Sequence, residues 1–173
     1  MKVLIASDIH GIVKKAEKLD ELCEKEHFDK IIFLGDLLHN YYYYNSKEEY
    51  EVVNILNKRA KITMSVIGNC DRDYEIEKLN FPVLYEIDKI DLDGHEFYIL
   101  HGHLYNKYAS LIGNNLAFIG HSHIYNLKGN LINPGSVGLP RVNKESTCII
   151  YNDHVLSLID IDTQEILEKR RLK

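Results

Sequence analysis

Cysteine is scarce in this chain and scattered: Cys23, Cys70 and Cys148 are odd in number and include no CxxC pair. That spacing argues against a disulfide framework and against a thiolate zinc site, so reduced thiols are expected. Long apolar runs are also missing. The opening MKVLIASD is too short for a signal-peptide core, and no later run reaches membrane-spanning length. A cytoplasmic protein without a membrane partner is the resulting expectation. No sustained Lys/Arg cluster occurs, the basic tail Glu168 to Lys173 being short, and the formal net charge is −5. A general nucleic-acid binder would carry a basic footprint, so no stable nucleic-acid partner is expected. Low-complexity tracts, internal repeats and linkers are absent too.

What is present is an ordinary globular composition, with 45% apolar and 27% charged residues in 173 positions. This length suits one domain spanning residues 1–173 with a substantial core. Lys2 to Ser7 is an apolar, β-branched run, and Ala16, Leu19, Leu22 and Cys23 follow at helical spacing. Lys30 to Leu34 reads as the next strand, Glu48 to Ala60 as a helix with Val52, Val53 and Leu56 inward, and Ile62 to Ile67 as a third strand. Such βαβα order predicts a parallel sheet.

A short helical stretch around Tyr74 to Leu79 precedes a change of rhythm. Val83 to Leu92 and Glu96 to Leu100 flank an Asp93-Gly94 turn and read as a hairpin. Leu104 to Ile112 reads as helix and Leu116 to Ile119 as a short strand. The turns Lys128 to Asn130 and Asn152-Asp153 then separate further strand-like runs, ending with Val155 to Ile161 and Gln164 to Leu172. The C-terminal half is thus expected to be mostly antiparallel, and the whole to be an α/β fold of two mixed sheets packed face to face with helices outside.

Polar residues gather where the strands end. Ser7-Asp8-Ile9-His10-Gly11 follows the first strand, Gly35-Asp36 the second and Gly68-Asn69-Cys70-Asp71 the third. In an open α/β sheet these loops line the crevice at the carboxyl ends of the strands. The hairpin strand leads into His101-Gly102-His103, and the short strand after it into Gly120-His121-Ser122-His123. On extended backbone, side chains two apart share a side, so Asp8 with His10 and His121 with His123 are expected to form clamps without distortion. Imidazole, carboxylate and amide donors without an obligatory thiolate suit Mn²⁺, Fe or Zn²⁺ better than Ca²⁺. Seven such residues exceed the needs of one ion and divide into two sites if one carboxylate bridges.

The ordered set DxH, GD, GNCD, HGH, GHSH and Asn133-Pro134-Gly135-Ser136 resembles the calcineurin-like metallophosphoesterase superfamily, in particular its small YfcE-type phosphodiesterase branch, from Ser7 to about Arg141. The resemblance implies a four-layer α/β/β/α sandwich and two divalent metal ions, Mn²⁺ first, with Fe, Zn, Ni or Mg as alternatives. It implies that Asp8, His10, Asp36 and His123 hold one ion and that Asp36, Asn69, His101 and His121 hold the other, Asp36 bridging. The activity it implies is hydrolysis of small phosphodiesters by a hydroxide between the metals, at a site whose net positive charge attracts the ester.

Arg141 follows the NPGS motif and is the candidate for a further phosphate contact, because guanidinium engages two oxygens at once. Many superfamily phosphatases carry His where this chain has Cys70. A thiol beside dications is a poor proton donor, so esters with good leaving groups or diesters are the expected substrates, with His103 as a substitute acid. His103 and Asp71 are equally open to a role in orienting ligands, Cys70 to one in packing, and Asn133 to Ser136 to one in shaping a turn. Tyr41 to Tyr44 could wall a substrate pocket or form an interface. His27, His39, His95 and His154 have no motif support. Three other functions are weighed: an interaction scaffold like the retromer subunit of this fold, a phosphomonoesterase, and a repair nuclease, whose extra capping domain has no room here. Exposed tyrosines and edge strands leave room for a homo-oligomer.

Overall fold

The computed structural model describes residues 1–40, 46–142 and 144–173. Two sheets form its centre. The larger has seven strands in the order β11-β10-β9-β1-β2-β3-β4: β1 (Lys2–Ala6), β2 (Lys30–Phe33), β3 (Thr63–Val66) and β4 (Val83–Leu84) run parallel, and β9 (Thr147–Asn152), β10 (Val155–Asp160) and β11 (Ile166–Arg171) continue antiparallel from β1. The smaller sheet is β5 (Asp88–Leu92), β6 (His95–Leu100), β7 (Leu116–Ile119) and β8 (Leu131–Ile132).

Alternation along the strands divides the apolar residues between two cores. Val3, Ile5, Ile32 and Leu34 face inward against Leu92, Phe97, Ile99 and Phe118 of the smaller sheet. Leu4, Ala6, Ile31 and Phe33 point outward, where α1 (Val13–Glu26) and α2 (Ser46–Asn57) cover them with Ala16, Leu19, Leu22, Val52 and Leu56. A third cluster places α4 (Tyr105–Ile112) over the outer face of the smaller sheet through Tyr108 and Ile112 against Tyr98, Leu100 and Ala117. Three apolar interfaces stacked in this way make four layers, α/β/β/α, as expected. The period of two in each strand is what lets one sheet bury both faces.

Three sequence expectations need correction. Val83 to Leu92 is not one strand: β4 pairs parallel with β3, and the chain then crosses to the other sheet as β5, so only Asp88 onward forms the hairpin with β6. The smaller sheet is also less antiparallel than expected, since β6-β7 and β7-β8 are parallel pairs. Both errors come from pairing, which a single strand's pattern does not encode. The second helix begins at Ser46 and ends at Asn57, with Ala60–Ile62 forming a separate 3₁₀ turn. No helix among the described residues is long and apolar enough to cross a membrane.

Candidate metal centre

The loops after β1, β2, β3, β6 and β7 converge at one end of the sandwich. Asp8, His10, Asp36, His101 and His123 are buried there, whereas Asn69, His103 and His121 are exposed at the rim. All seven residues expected as ligands belong to this cluster. His10 Nε2 lies 3.7 Å from Asp8 Oδ1 and 3.4 Å from His123 Nε2, and His123 Nε2 lies 3.3 Å from Asp8 Oδ1. On the other side His101 Nε2 is 3.1 Å from Asn69 Oδ1, and the His121 ring stands edge-on to the His101 ring with centroids 5.1 Å apart. Asp36 Oδ2 sits between the two groups, 3.7 Å from His10 Nε2 and 3.3 Å from His101 Nε2.

The way the imidazoles are held explains their direction. The Nδ1–H of His10 donates to the His39 carbonyl at 2.9 Å, that of His101 to Leu34 at 2.6 Å and that of His123 to Leu139 at 2.6 Å. Each Nε2 lone pair therefore faces the cluster, the arrangement that fixes a metal-binding tautomer. Asp8 Oδ1 is buried and has no hydrogen-bond partner among the described residues, while Asp8 Oδ2 accepts the His121 N–H at 3.0 Å. Acceptors facing acceptors without an intervening donor is costly unless a cation lies between them. The donor set thus fits divalent metal ions.

The buried carboxylates and imidazoles of the cluster shift one another's pKa values. Burial opposes a charge on His101, but the Asp36 carboxylate outweighs it and raises the imidazole pKa. His10 is raised in the same way, against burial, by Asp8, the His39 carbonyl and Asp36. Asp36 is held well below the carboxylate range, burial being outweighed by His101 and the Cys70 N–H, which donates to Oδ1 at 2.8 Å. At the rim, burial and the neighbouring His101 lower the pKa values of His103 and His121.

Asp8 and His10 come together as expected, though not on extended backbone, whereas His121 and His123 part, His123 lying with Asp8 and His10 and His121 against His101. Asp8, His10, Asp36, His121 and His123 have φ values of 57°, 51°, 54°, 67° and 60°. Left-handed backbone at five non-glycine positions stores strain, of order 1–3 kcal/mol each, that only a strongly determined surrounding structure sustains. Two glycines make the approach feasible. A Cβ on Gly68 would overlap the Asp36 carboxylate, and one on Gly120 would overlap the Ser7 hydroxyl beside Asp8.

Asp71 is not directed at the metal cluster. Its carboxylate accepts the N–H groups of Asp36 at 2.7 Å, Leu37 at 2.8 Å and Gly68 at 2.8 Å, which fastens the third loop to the second. The NPGS segment is a brace: Ser136 Oγ donates to the Asp8 carbonyl at 2.8 Å, and Asn133 Nδ2 donates to the Gly120 carbonyl at 2.9 Å. Cys70 is buried, with Asn69 Nδ2 donating to Sγ at 3.0 Å, and it groups with His10 and Asp36 closely enough to join a metal site. Arg141 is exposed; its backbone N–H reaches the His123 carbonyl at 3.4 Å, and no contact among the described residues fixes its guanidinium. Tyr41 to Tyr44 lie outside the described residues.

His39 has no motif support in the sequence, yet its carbonyl orients His10, as those of Leu34 and Leu139 orient their imidazoles. No side-chain motif could have revealed contacts made by backbone carbonyls.

This arrangement has relatives. A family model for the calcineurin-like phosphoesterase superfamily domain matches residues 1–154. The chain belongs to the calcineurin-like phosphoesterase superfamily. It is 30% identical over 176 aligned residues to the phosphodiesterase YfcE of Escherichia coli K12, covering 96% of each chain. The structure of E. coli YfcE superposes with a TM-score of 0.87 at 28% identity over 100% of both chains. An archaeal phosphodiesterase matches at a TM-score of 0.64 with 19% identity, covering 99% of this chain and 100% of that one, which shows a shared fold alone. Membership places the protein among hydrolases of phosphoesters, a family that implies divalent metal ions.

Proposed function

We propose that the protein is a dinuclear-metal phosphodiesterase acting on small phosphodiesters. The observation that carries this reading is the buried Asp8 Oδ1, without a hydrogen-bond partner among the described residues, set among the inward-facing Nε2 atoms of His10 and His123. Asp8, His10, Asp36 and His123 would hold one ion, and Asp36, Asn69, His101 and His121 the other. The 30% identity to E. coli YfcE, named as a phosphodiesterase, supports the diester class. Mn²⁺ suits the mixed nitrogen and oxygen donors. When bound, two such cations supply Lewis-acid charge and bring the ionisation of water toward neutral pH.

The chain's own residues carry the remaining tasks. Asp36, between the two donor groups, would join the sites; Asp71 holds its backbone N–H and the Cys70 N–H holds its carboxylate. Asn69 and His121, exposed at the rim, would meet the ester oxygens on arrival. His103 is centred 5.5 Å from the His101 ring and 6.2 Å from the His121 ring, within reach of a group leaving from this mouth. Residues 1–173 would act as a single domain, since the first and last strands share one sheet.

Hydrolysis of bis(p-nitrophenyl) phosphate tests the proposal. With added Mn²⁺ the protein should release p-nitrophenol, and EDTA or Asp36→Ala should abolish the release. Turnover that survives both treatments, or none with any of Mn²⁺, Fe²⁺, Zn²⁺, Ni²⁺ and Mg²⁺, would overturn it in favour of a binding role.

A further inference from the structure

Two histidines with no part in the candidate metal centre meet at the other end of the sandwich, where β1 starts. The Met1 amino group donates there to Asp93 Oδ2 at 2.9 Å, and Lys2 pairs with Asn152. Two hairpin turns close this end: Asp93-Gly94 joins β5 to β6 in the smaller sheet, and Asp153-His154 joins β9 to β10 in the larger one. Both central residues of each turn have positive φ, 52° and 90° in the first and 48° and 60° in the second. Turns of this kind favour glycine at their second central position. The first turn has it, whereas the second carries His154 against that backbone preference.

His95, the first residue of β6, meets that imidazole from the smaller sheet. Its Nε2 lies 3.0 Å from His154 Nδ1, with the ring centroids 5.1 Å apart and the planes at 78°. Both residues are half-buried, so solvent reaches the pair. One proton fits between the two nitrogens, which leaves the second nitrogen presenting its lone pair. Two imidazole nitrogens that each stand about 2.0–2.1 Å from one ion are roughly 2.8–3.4 Å from each other at coordination angles between about 90° and 109°. The observed 3.0 Å falls within that span, and a small turn of the rings replaces the shared proton with a shared cation. The Asp93 carboxylate beside them is taken up by Met1 at 2.9 Å and by the Tyr151 hydroxyl at 3.1 Å, so the pair itself supplies the protein donors and water would fill the other positions. Two nitrogen donors suit Zn²⁺, Ni²⁺ or Cu²⁺ and not Mn²⁺, Mg²⁺ or Ca²⁺, which take oxygen ligands.

We propose that His95 and His154 form a metal site separate from the candidate metal centre, a two-imidazole chelate for Zn²⁺, Ni²⁺ or Cu²⁺ that ties the smaller sheet to the larger one at the end remote from the metal loops. The site is independent of the phosphoesterase reading, because neither histidine belongs to the five converging loops. It would also explain why a histidine occupies a turn position that favours glycine.

Equilibrium dialysis of the full chain against low-micromolar Zn²⁺, followed by elemental analysis, tests the site by binding alone. The wild type should hold one ion more per chain than His95→Gln or His154→Gly, whatever number the candidate metal centre holds. His154→Gly gives the turn its preferred residue, so the fold survives the loss of the imidazole. Zn²⁺ should also raise the thermal midpoint of the wild type by more than that of either variant, since an ion bound only by the folded pair stabilises it. Equal ion counts in the wild type and the variants, or an extra ion retained in either variant, would overturn the site. Equal Zn²⁺-induced shifts of the midpoint would overturn the tie between the sheets.

Discussion

The Asp71 carboxylate accepts the backbone N–H of Asp36 at 2.7 Å, so one acidic residue of the third loop sets the position of the acidic residue proposed to bridge the metals. Burial raises the Asp71 carboxyl above its ordinary value, and three backbone N–H groups oppose that shift. Asp71→Asn replaces an oxygen in this nest with an amide donor. Mn²⁺ affinity, measured by calorimetry, should fall about 10- to 100-fold, the usual scale for losing a residue that orients ligands. Unchanged affinity would show that the loops hold their geometry without it.

Cys70, which the motif resemblance sets where a His is expected, lies beside Asn69 with its N–H on Asp36. A Cys70→His variant should gain activity on esters with poor leaving groups, because an imidazolium donates a proton more readily than a thiolate beside cations. The slope of log kcat against leaving-group pKa is the measurement. A slope identical to that of the wild type would remove Cys70 from the account.

Away from the centre, Asp20 is paired with Lys58 at 2.5 Å and with Arg59. Burial opposes the charge, but these two cations lower the Asp20 carboxyl below its ordinary value. A depressed folded-state pKa stabilises above the unfolded value and loses that contribution as pH falls through the folded one. Asp20→Asn should therefore cost about 1 kcal/mol or less at pH 7, given the solvent around Lys58. The gap between variant and wild type in urea melts should close as pH drops below the carboxylate range. A gap independent of pH would mean that the pair contributes by packing.

Gly68 tests the packing of the loops. Its substitution by alanine sets a Cβ against the Asp36 carboxylate. Gly68→Ala should weaken Mn²⁺ binding by at least about tenfold and destabilise by about 1–3 kcal/mol, as overpacking does. Binding at wild-type strength would require the Asp36 loop to be freer than its hydrogen bonds indicate.

Much of this was legible in the sequence because donors cluster where apolar runs end. Asp8, Asp36, Asn69, His101 and His121 each follow a strand, and a parallel order brings those ends together. The left-handed backbone at Asp8 and His10 was not legible, since φ is imposed by packing against the Gly35 and Asp36 carbonyls, to which their N–H groups donate at 3.1 and 2.9 Å. The split of Val83 to Leu92 between two sheets was hidden for a related reason: strand pattern reports a face and not a partner.

The bridging role of Asp36 is tested most directly by an anomalous-scattering map from a Mn²⁺-soaked crystal. The account predicts two peaks about 3.5–4 Å apart with the Asp36 carboxylate between them. A single peak, or two peaks of which Asp36 touches only one, would contradict it.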